Sequence, residues 1–357
     1  MKIDEISINN YKSIKEIDSL KLSNLNILIG SNGAGKSNFI SFFKMLNELI
    51  EKKFQEYVMS QSGADNILYF GSKVSSEIYA KVDFGINKYA LKLKPDDNDN
   101  LFISEEHTYY SNSHSIIGSA QRETQLFNNR GGYRSRRGVA DYIIDALESW
   151  KVYHFHDTSH TALVKKTWDV DDNYRLRYDA SNLASFLYRL SNDYQDEFTM
   201  IEETVKLVAP YFDKFVLKPD EKNNSIRLAW HEKGSDKLFN ANHLSDGTLR
   251  MICLTTLLLQ PNAPDTIIID EPELGLHPYA ITVLATLMKS FSIDKQLIVS
   301  TQSVTLINHF EPKDIIVTDK SNSASVFRKL DEDELANWID EYSLGEIWEK
   351  NIIGGRP

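Results

Sequence analysis

Three stretches of this chain carry residue types whose spacing suits phosphate chemistry. The first is Gly30-Ser31-Asn32-Gly33-Ala34-Gly35-Lys36-Ser37, followed by Asn38, and it satisfies G-x-x-x-x-G-K-[ST]. Glycines let successive backbone N–H groups close around phosphate oxygens. Lys36 reaches the outer phosphates, and Ser37 offers a hydroxyl to Mg²⁺. The second stretch is the apolar, β-branched run Thr266–Ile269, which ends in the adjacent carboxylates Asp270 and Glu271. A strand of this kind delivers such residues to the carboxyl edge of a parallel sheet, where ligands bind. There Asp270 suits the metal and Glu271 suits polarising a water. Two neighbouring carboxylates at a strand end are costly without a cation; capping of the next helix is the plainer alternative. The third is Leu244-Ser245-Asp246-Gly247-Thr248, about 25 residues before the acidic pair. Ser245 suits an N-cap, and Gly247 permits close backbone approach. Many helices start this way, so the turn gains weight only from its position.

The surrounding elements must position these groups. Leu25–Ile29 reads as a short buried strand running into Gly30, and 38–53 has apolar residues at Phe39, Phe42, Phe43, Leu46 and Ile50, a helical period. Segments 77–84, 88–94 and 101–109 read as an antiparallel meander, and 118–138 as a glycine-rich loop. Residues 156–212 read as a helical insert, and 215–218 with 225–230 as a hairpin. The helices 249–260, 279–291 and 304–310 then alternate with strands 266–269, 296–300 and 314–319. That rhythm indicates a doubly wound sheet. The chain divides into 1–155, 156–243 and 244–357 as lobes of one composite domain. No segment sustains the heptads of a long coiled-coil arm.

Composition narrows the class. The 357 residues are 41% hydrophobic and 25% charged, as in ordinary soluble proteins. No apolar run approaches the ~18 residues of a membrane span. The N-terminus does not resemble a signal peptide, and one cysteine, Cys253, excludes an internal disulfide and fits a reducing cytoplasm. A net charge of −11 argues against a globally basic nucleic-acid binder. The loop carrying Arg122, Arg130, Arg134, Arg136 and Arg137 is a local candidate for DNA or an acidic partner; a solvated loop is the plainer reading.

The three motifs in this order, with NYKSIKE, FHDTS, LSDGTLR, DEPELGLHP, STQS and SLGEIWEKNIIGGRP, resemble the ABC-type ATPase head of the SMC, RecF and OLD-nuclease group. Stand-alone bacterial ATPases with a RecF-like head are especially similar, over almost the whole chain. The resemblance implies an α/β P-loop NTPase of ABC/RecF-like type, with a mostly parallel sheet, an antiparallel β layer and a helical lobe. It implies ATP and Mg²⁺ as cofactors and a homodimer that sandwiches ATP. In such a dimer Ser245 and Gly247 contact the γ-phosphate held by the other subunit's Gly30–Ser37 loop. Glu271 is then the general base, and His277 lies in the segment that reports across the dimer. Gln302 takes the place of a phosphate-contacting histidine; it can hydrogen-bond but cannot become cationic, which fits a slow ATPase. His156 or Asp157 falls where a glutamine usually links the lobe to the metal, although no glutamine is present there. Tyr11 and Lys12 border the nucleotide or form a plain turn.

The serine turn and the acidic pair point to an ATP-gated switch controlling a separate effector, with a nuclease among the candidates; the resemblance implies a setting in phage defence or DNA repair. A regulatory ATPase of a nuclease complex is the alternative. After Asp319 about 38 residues remain, too few for an added nuclease domain. A transporter ATPase fits less well, because of the β-meander, the short helical lobe and Gln302, and no membrane association is expected.

Overall fold

The computed structural model describes residues 1–111, 113–131, 137–335, 338 and 341–356. Among these, one six-stranded sheet is antiparallel, in the order Ile14–Lys21, Glu5–Tyr11, Ile78–Phe84, Asn87–Pro95, Leu101–Tyr110, Ser113–Gln121. The other runs Ala324–Lys329, Ile315–Ser321, Leu25–Ile29, Gln296–Thr301, Thr266–Asp270, Trp150–Tyr153. Its strands from Ile315–Ser321 onward are parallel, and the hairpin to Ala324–Lys329 is antiparallel.

Side-chain alternation along the parallel strands sorts their residues into two cores. Ile27, Ile29, Ile267, Ile269, Leu297 and Val299 join the helices Leu183–Asp193, Gln195–Val208, Asp246–Leu259 and Pro278–Phe291. Leu28, Val152, Ile268, Ile298 and Ile316 face the other way, towards the helices Lys36–Ile50 and Val139–Glu148 and the antiparallel sheet. Burial on both faces explains the unbroken apolar strands. Phe39, Phe42, Phe43 and Leu46, spaced for one helical face, are fully buried, and each stabilises the second core by roughly 1.5–3 kcal/mol. Trp150 fixes the layers to one another, with ring contacts to Phe43 at 5.6 Å and Phe84 at 5.7 Å.

The 118–138 segment departs from the loop expected there. Gly118 and Gln121 lie in the edge strand Ser113–Gln121, and a 3₁₀ turn covers Leu126–Asn129. An edge strand that is largely solvent-exposed needs no apolar alternation, which hid it in the sequence. The expected 215–218 and 225–230 hairpin is split. Phe212–Phe215 pairs with Ala229–Glu232, whereas Ser225–Ile226 pairs with Trp168–Asp169. Strands Ile14–Lys21 and Ala324–Lys329, and the helices Phe54–Ser60 and Leu344–Glu349, were not anticipated. Among the described residues no helix is long and apolar enough to cross a membrane.

Candidate functional site

The glycine loop follows strand Leu25–Ile29 and opens helix Lys36–Ile50. Gly30, Gly33 and Gly35 have φ of 157°, 76° and 119°, and the last two values favour glycine. At Gly35 a Cβ would also lie 2.1 Å from Ser325 Oγ, and at Gly30 it would lie 2.2 Å from the Thr318 carbonyl oxygen. The loop is therefore seated on the Ile315–Ser321/Ala324–Lys329 hairpin. Ser13 completes the seat: its hydroxyl pairs with Ser325 Oγ at 2.7 Å and accepts from Asn38 Nδ2 at 2.7 Å. Lys36 is buried, and its ammonium donates to the carbonyls of Gly30 at 2.6 Å and Ser31 at 3.1 Å. Burial holds its pKa below the ordinary lysine range, and Glu271, Asp270 and Glu273 oppose that shift. Asn32, Gly33 and Ser37 are exposed, and Ala34 is buried beneath them. Lys12 and Asn38 line an open groove of about 660 Å³ beside the loop. Tyr11 is a core residue instead; its hydroxyl pairs with Tyr57 at 2.8 Å and Ser41 at 3.0 Å.

The acidic edge lies across from Lys36. Strand Thr266–Asp270 and strand Gln296–Thr301 run in register, so Asp270 sits beside Ser300, whose hydroxyl donates to it. Glu271 has φ 42°, an uncommon left-handed conformation for a residue with a side chain. Its N–H bonds the Ser300 carbonyl at 2.9 Å, and its carboxylate accepts from Gln302 Nε2 at 2.5 Å. Gln302 thus meets Glu271 directly. Glu273 accepts from Thr301 Oγ1, while its other carboxylate oxygen is buried without a hydrogen-bond partner among the described residues. Burial pushes the Glu273 carboxyl above its usual range. Three carboxylates facing one lysine, with an orphaned buried oxygen, make a donor set that fits a hard divalent cation.

The strand Trp150–Tyr153 borders the same edge, and His154, which sequence reasoning missed, follows it beside Asp270. His154 and His156 each bring a ring nitrogen close to an Asp270 oxygen. Burial holds the His154 imidazole below its ordinary pKa. Asp157 accepts from Ser159 N at 3.0 Å and Ser159 Oγ at 2.7 Å.

Ser245 caps the helix Asp246–Leu259, accepting from Thr248 N at 3.1 Å, and is exposed. Gly247 packs so closely that a Cβ would lie 2.5 Å from the Gly275 carbonyl oxygen. Neither residue hydrogen-bonds to its own glycine loop among the described residues. Arg250, also missed, donates from that helix to the carbonyls of Phe155 at 2.9 Å and His156 at 3.1 Å. It ties the serine turn to the histidine segment; the only sequence signal was an arginine inside an otherwise apolar helix. His277 caps the helix Pro278–Phe291 through Tyr279 N at 3.3 Å.

The arginine segment is partly engaged already. Arg122 pairs with Asp96 at 3.6 Å, Arg137 pairs with Asp145, and Arg130 lies over the Phe127 ring at 4.9 Å. Arg134 and Arg136 lie outside the described residues.

Comparisons with known proteins agree with this architecture. The family model "AAA domain, putative AbiEii toxin, Type IV TA system" matches residues 25–308. No curated protein matches the chain. Among solved structures, an Smc head bound to the C-winged helix domain of ScpA superimposes with a TM-score of 0.64 at 15% identity, covering 94% of this chain and 100% of that one. An Smc head domain with an extended coiled coil, bound to the C-terminal domain of ScpA and derived from Pyrococcus furiosus, gives 0.56 at 13% identity, covering 95% and 98%. At these identities the likeness is one of fold, that of an SMC head domain.

Proposed function

Because the chain belongs to the AAA-domain family described as putative AbiEii toxin of a type IV toxin–antitoxin system, we propose that it is an ATP-binding and ATP-hydrolysing switch that closes as a homodimer. The observation that carries this reading is the meeting of Lys36, Asp270, Glu271 and Gln302 at one sheet edge, beside a glycine loop braced from behind.

Each residue has a defined task. Gly30–Asn38 cradles the phosphates. Lys36 exchanges its bonds to the Gly30 and Ser31 carbonyls for phosphate oxygens. Ser37 and Asp270 would hold Mg²⁺, which when bound neutralises charge developing on the phosphates. Glu271, oriented by Gln302, accepts the proton of the attacking water. Ser245 and Gly247 serve the nucleotide of the other subunit, with His277 near that contact. The γ-phosphate is then bonded from both sides, and its loss removes the contact that favours closure.

In this reading the switch acts on a separate effector in the cytoplasm, in a defence or repair setting; the family description itself names a toxin of a toxin–antitoxin system. A regulatory ATPase of a nuclease complex differs only in the partner. DNA contact through the Arg122–Arg137 segment remains part of the proposal, although Arg122 and Arg137 already face carboxylates.

A fluorescent ATP analogue and phosphate release test the site. Lys36→Ala should lose binding, whereas Glu271→Gln should keep it and release phosphate roughly 10²–10⁴-fold more slowly. Wild-type turnover by Glu271→Gln would remove the base assignment. A wild-type chain that binds no nucleotide would remove the whole reading.

A further inference from the structure

The segment His154-Phe155-His156 leaves the parallel sheet beside Asp270. Tyr153 pairs with Ile269, so the next residues, His154 and Asp270, are neighbours at the sheet edge. Tyr153 and Phe155 are buried in one core, and Val152 in the other. Alternation in an extended chain therefore turns both histidines to the face opposite Phe155, the face Asp270 shares with Ile268. Ring nitrogens of His154 and His156 and a carboxylate oxygen of Asp270 all lie within 4.8 Å of one another. The imidazoles contact each other, with centroids 6.2 Å apart, and neither ring hydrogen-bonds to another described residue. Arg250 holds the carbonyls of Phe155 and His156, which anchors the backbone that carries the rings. Around a Zn²⁺ ion with bonds of about 2.0–2.1 Å, ligand atoms lie roughly 3.4 Å apart in a tetrahedron. Small rotations of two side chains close that difference.

We propose that His154, His156 and Asp270 form a binding site for one divalent transition-metal ion of the Zn²⁺ or Co²⁺ class, with coordination positions left for water or a phosphate oxygen. Two imidazoles and one carboxylate select such ions over Mg²⁺, which prefers all-oxygen ligands. The site shares Asp270 with the Mg²⁺ set above. It rests on that reading only for the ion's role during turnover, because the three ligands come from the chain itself.

The test uses the full chain, stripped of metal by a chelator and titrated with Co²⁺ without nucleotide. The readout is the visible absorption of the ion, with Zn²⁺ as competitor. A saturable band of low-coordinate Co²⁺ is expected, displaced by Zn²⁺ and kept in millimolar Mg²⁺. His154→Ala and His156→Gln should each weaken Co²⁺ binding by at least roughly tenfold, a cost reached even by losing an outer partner. Zn²⁺ should also raise the wild-type Tm, a readout that needs no variant. Absent Co²⁺ absorption, an unchanged titration in both variants, or displacement by Mg²⁺ as readily as by Zn²⁺ would each overturn the site. Lys36→Ala separates the two readings: it should lose the fluorescent nucleotide yet bind Co²⁺ as the wild type does. Metal binding in a wild type that takes no nucleotide would uphold this site and sink the ATPase reading. Nucleotide binding without Co²⁺ binding would do the reverse.

Discussion

Glu271 combines an unfavourable backbone with a directed side chain. Its φ of 42° costs on the order of 1–3 kcal/mol, offset by the Ser300 and Gln302 hydrogen bonds. If Gln302 orients the base, Gln302→Leu should lower kcat by about tenfold or more while leaving nucleotide affinity nearly unchanged; a change in affinity alone would return Gln302 to the phosphate contact expected from sequence. Glu273 yields a pH test. Its folded pKa is raised above the unfolded value, so the native state favours the protonated form. That stabilisation is full below the ordinary carboxylate range and is lost as pH rises through the raised value. Glu273→Gln should therefore raise the Tm at neutral pH, and the advantage should vanish as the pH falls towards about 4. Thermal melting across pH checks this, and a constant difference would contradict it. The motif residues were legible because the glycine loop and the acidic pair are contiguous in sequence. Ser13, Ser325, Arg250 and His154 were not, since each acts through a partner far away in the chain: Ser13 and Ser325 are brought together by the hairpin, and Arg250 reaches Phe155.

The phosphate loop depends on elements that carry no nucleotide motif. Trp348, fully buried in the Leu344–Glu349 helix, donates to the Gly355 carbonyl at 2.6 Å. Gly355 in turn lies against Gly30: a Cβ there would sit 3.5 Å from the Gly30 Cα. Trp348→Ala should cost roughly 3–5 kcal/mol by cavity formation and weaken nucleotide binding along with stability, measurable by denaturant unfolding and analogue titration. Gly247→Ala acts locally at the other motif. Its Cβ would collide with the Gly275 carbonyl, so the start of helix Asp246–Leu259 must shift. ATP-dependent self-association should weaken while nucleotide binding persists. Helices and buried strands were legible because their apolar periods are strong, as in Lys36–Ile50 and Thr266–Asp270. The edge strand Ser113–Gln121 and the partner of Ser225–Ile226 were not. The first lacks a buried face, and the second is chosen by long-range pairing that no local pattern encodes.

At the scale of the whole molecule, the serine turn and the glycine loop of one chain make no hydrogen bond to each other among the described residues. Ser245 is exposed at a helix N-terminus, where backbone N–H groups favour an anion. In the proposed sandwich, the phosphate that this turn would meet is the one held by a second copy. Arg250 would relay that contact to the histidine segment of its own subunit, so nucleotide binding at one site would reach the Asp270 edge of the other. The most direct test is light scattering on Glu271→Gln, with Mg²⁺, in the presence and absence of ATP. The expected result is a single-chain mass without ATP and a doubled mass with it, reverting to a single chain when Ser245→Arg is added. A Glu271→Gln chain that binds ATP yet keeps the single-chain mass, or a dimer indifferent to both ATP and Ser245→Arg, would contradict the paired switch.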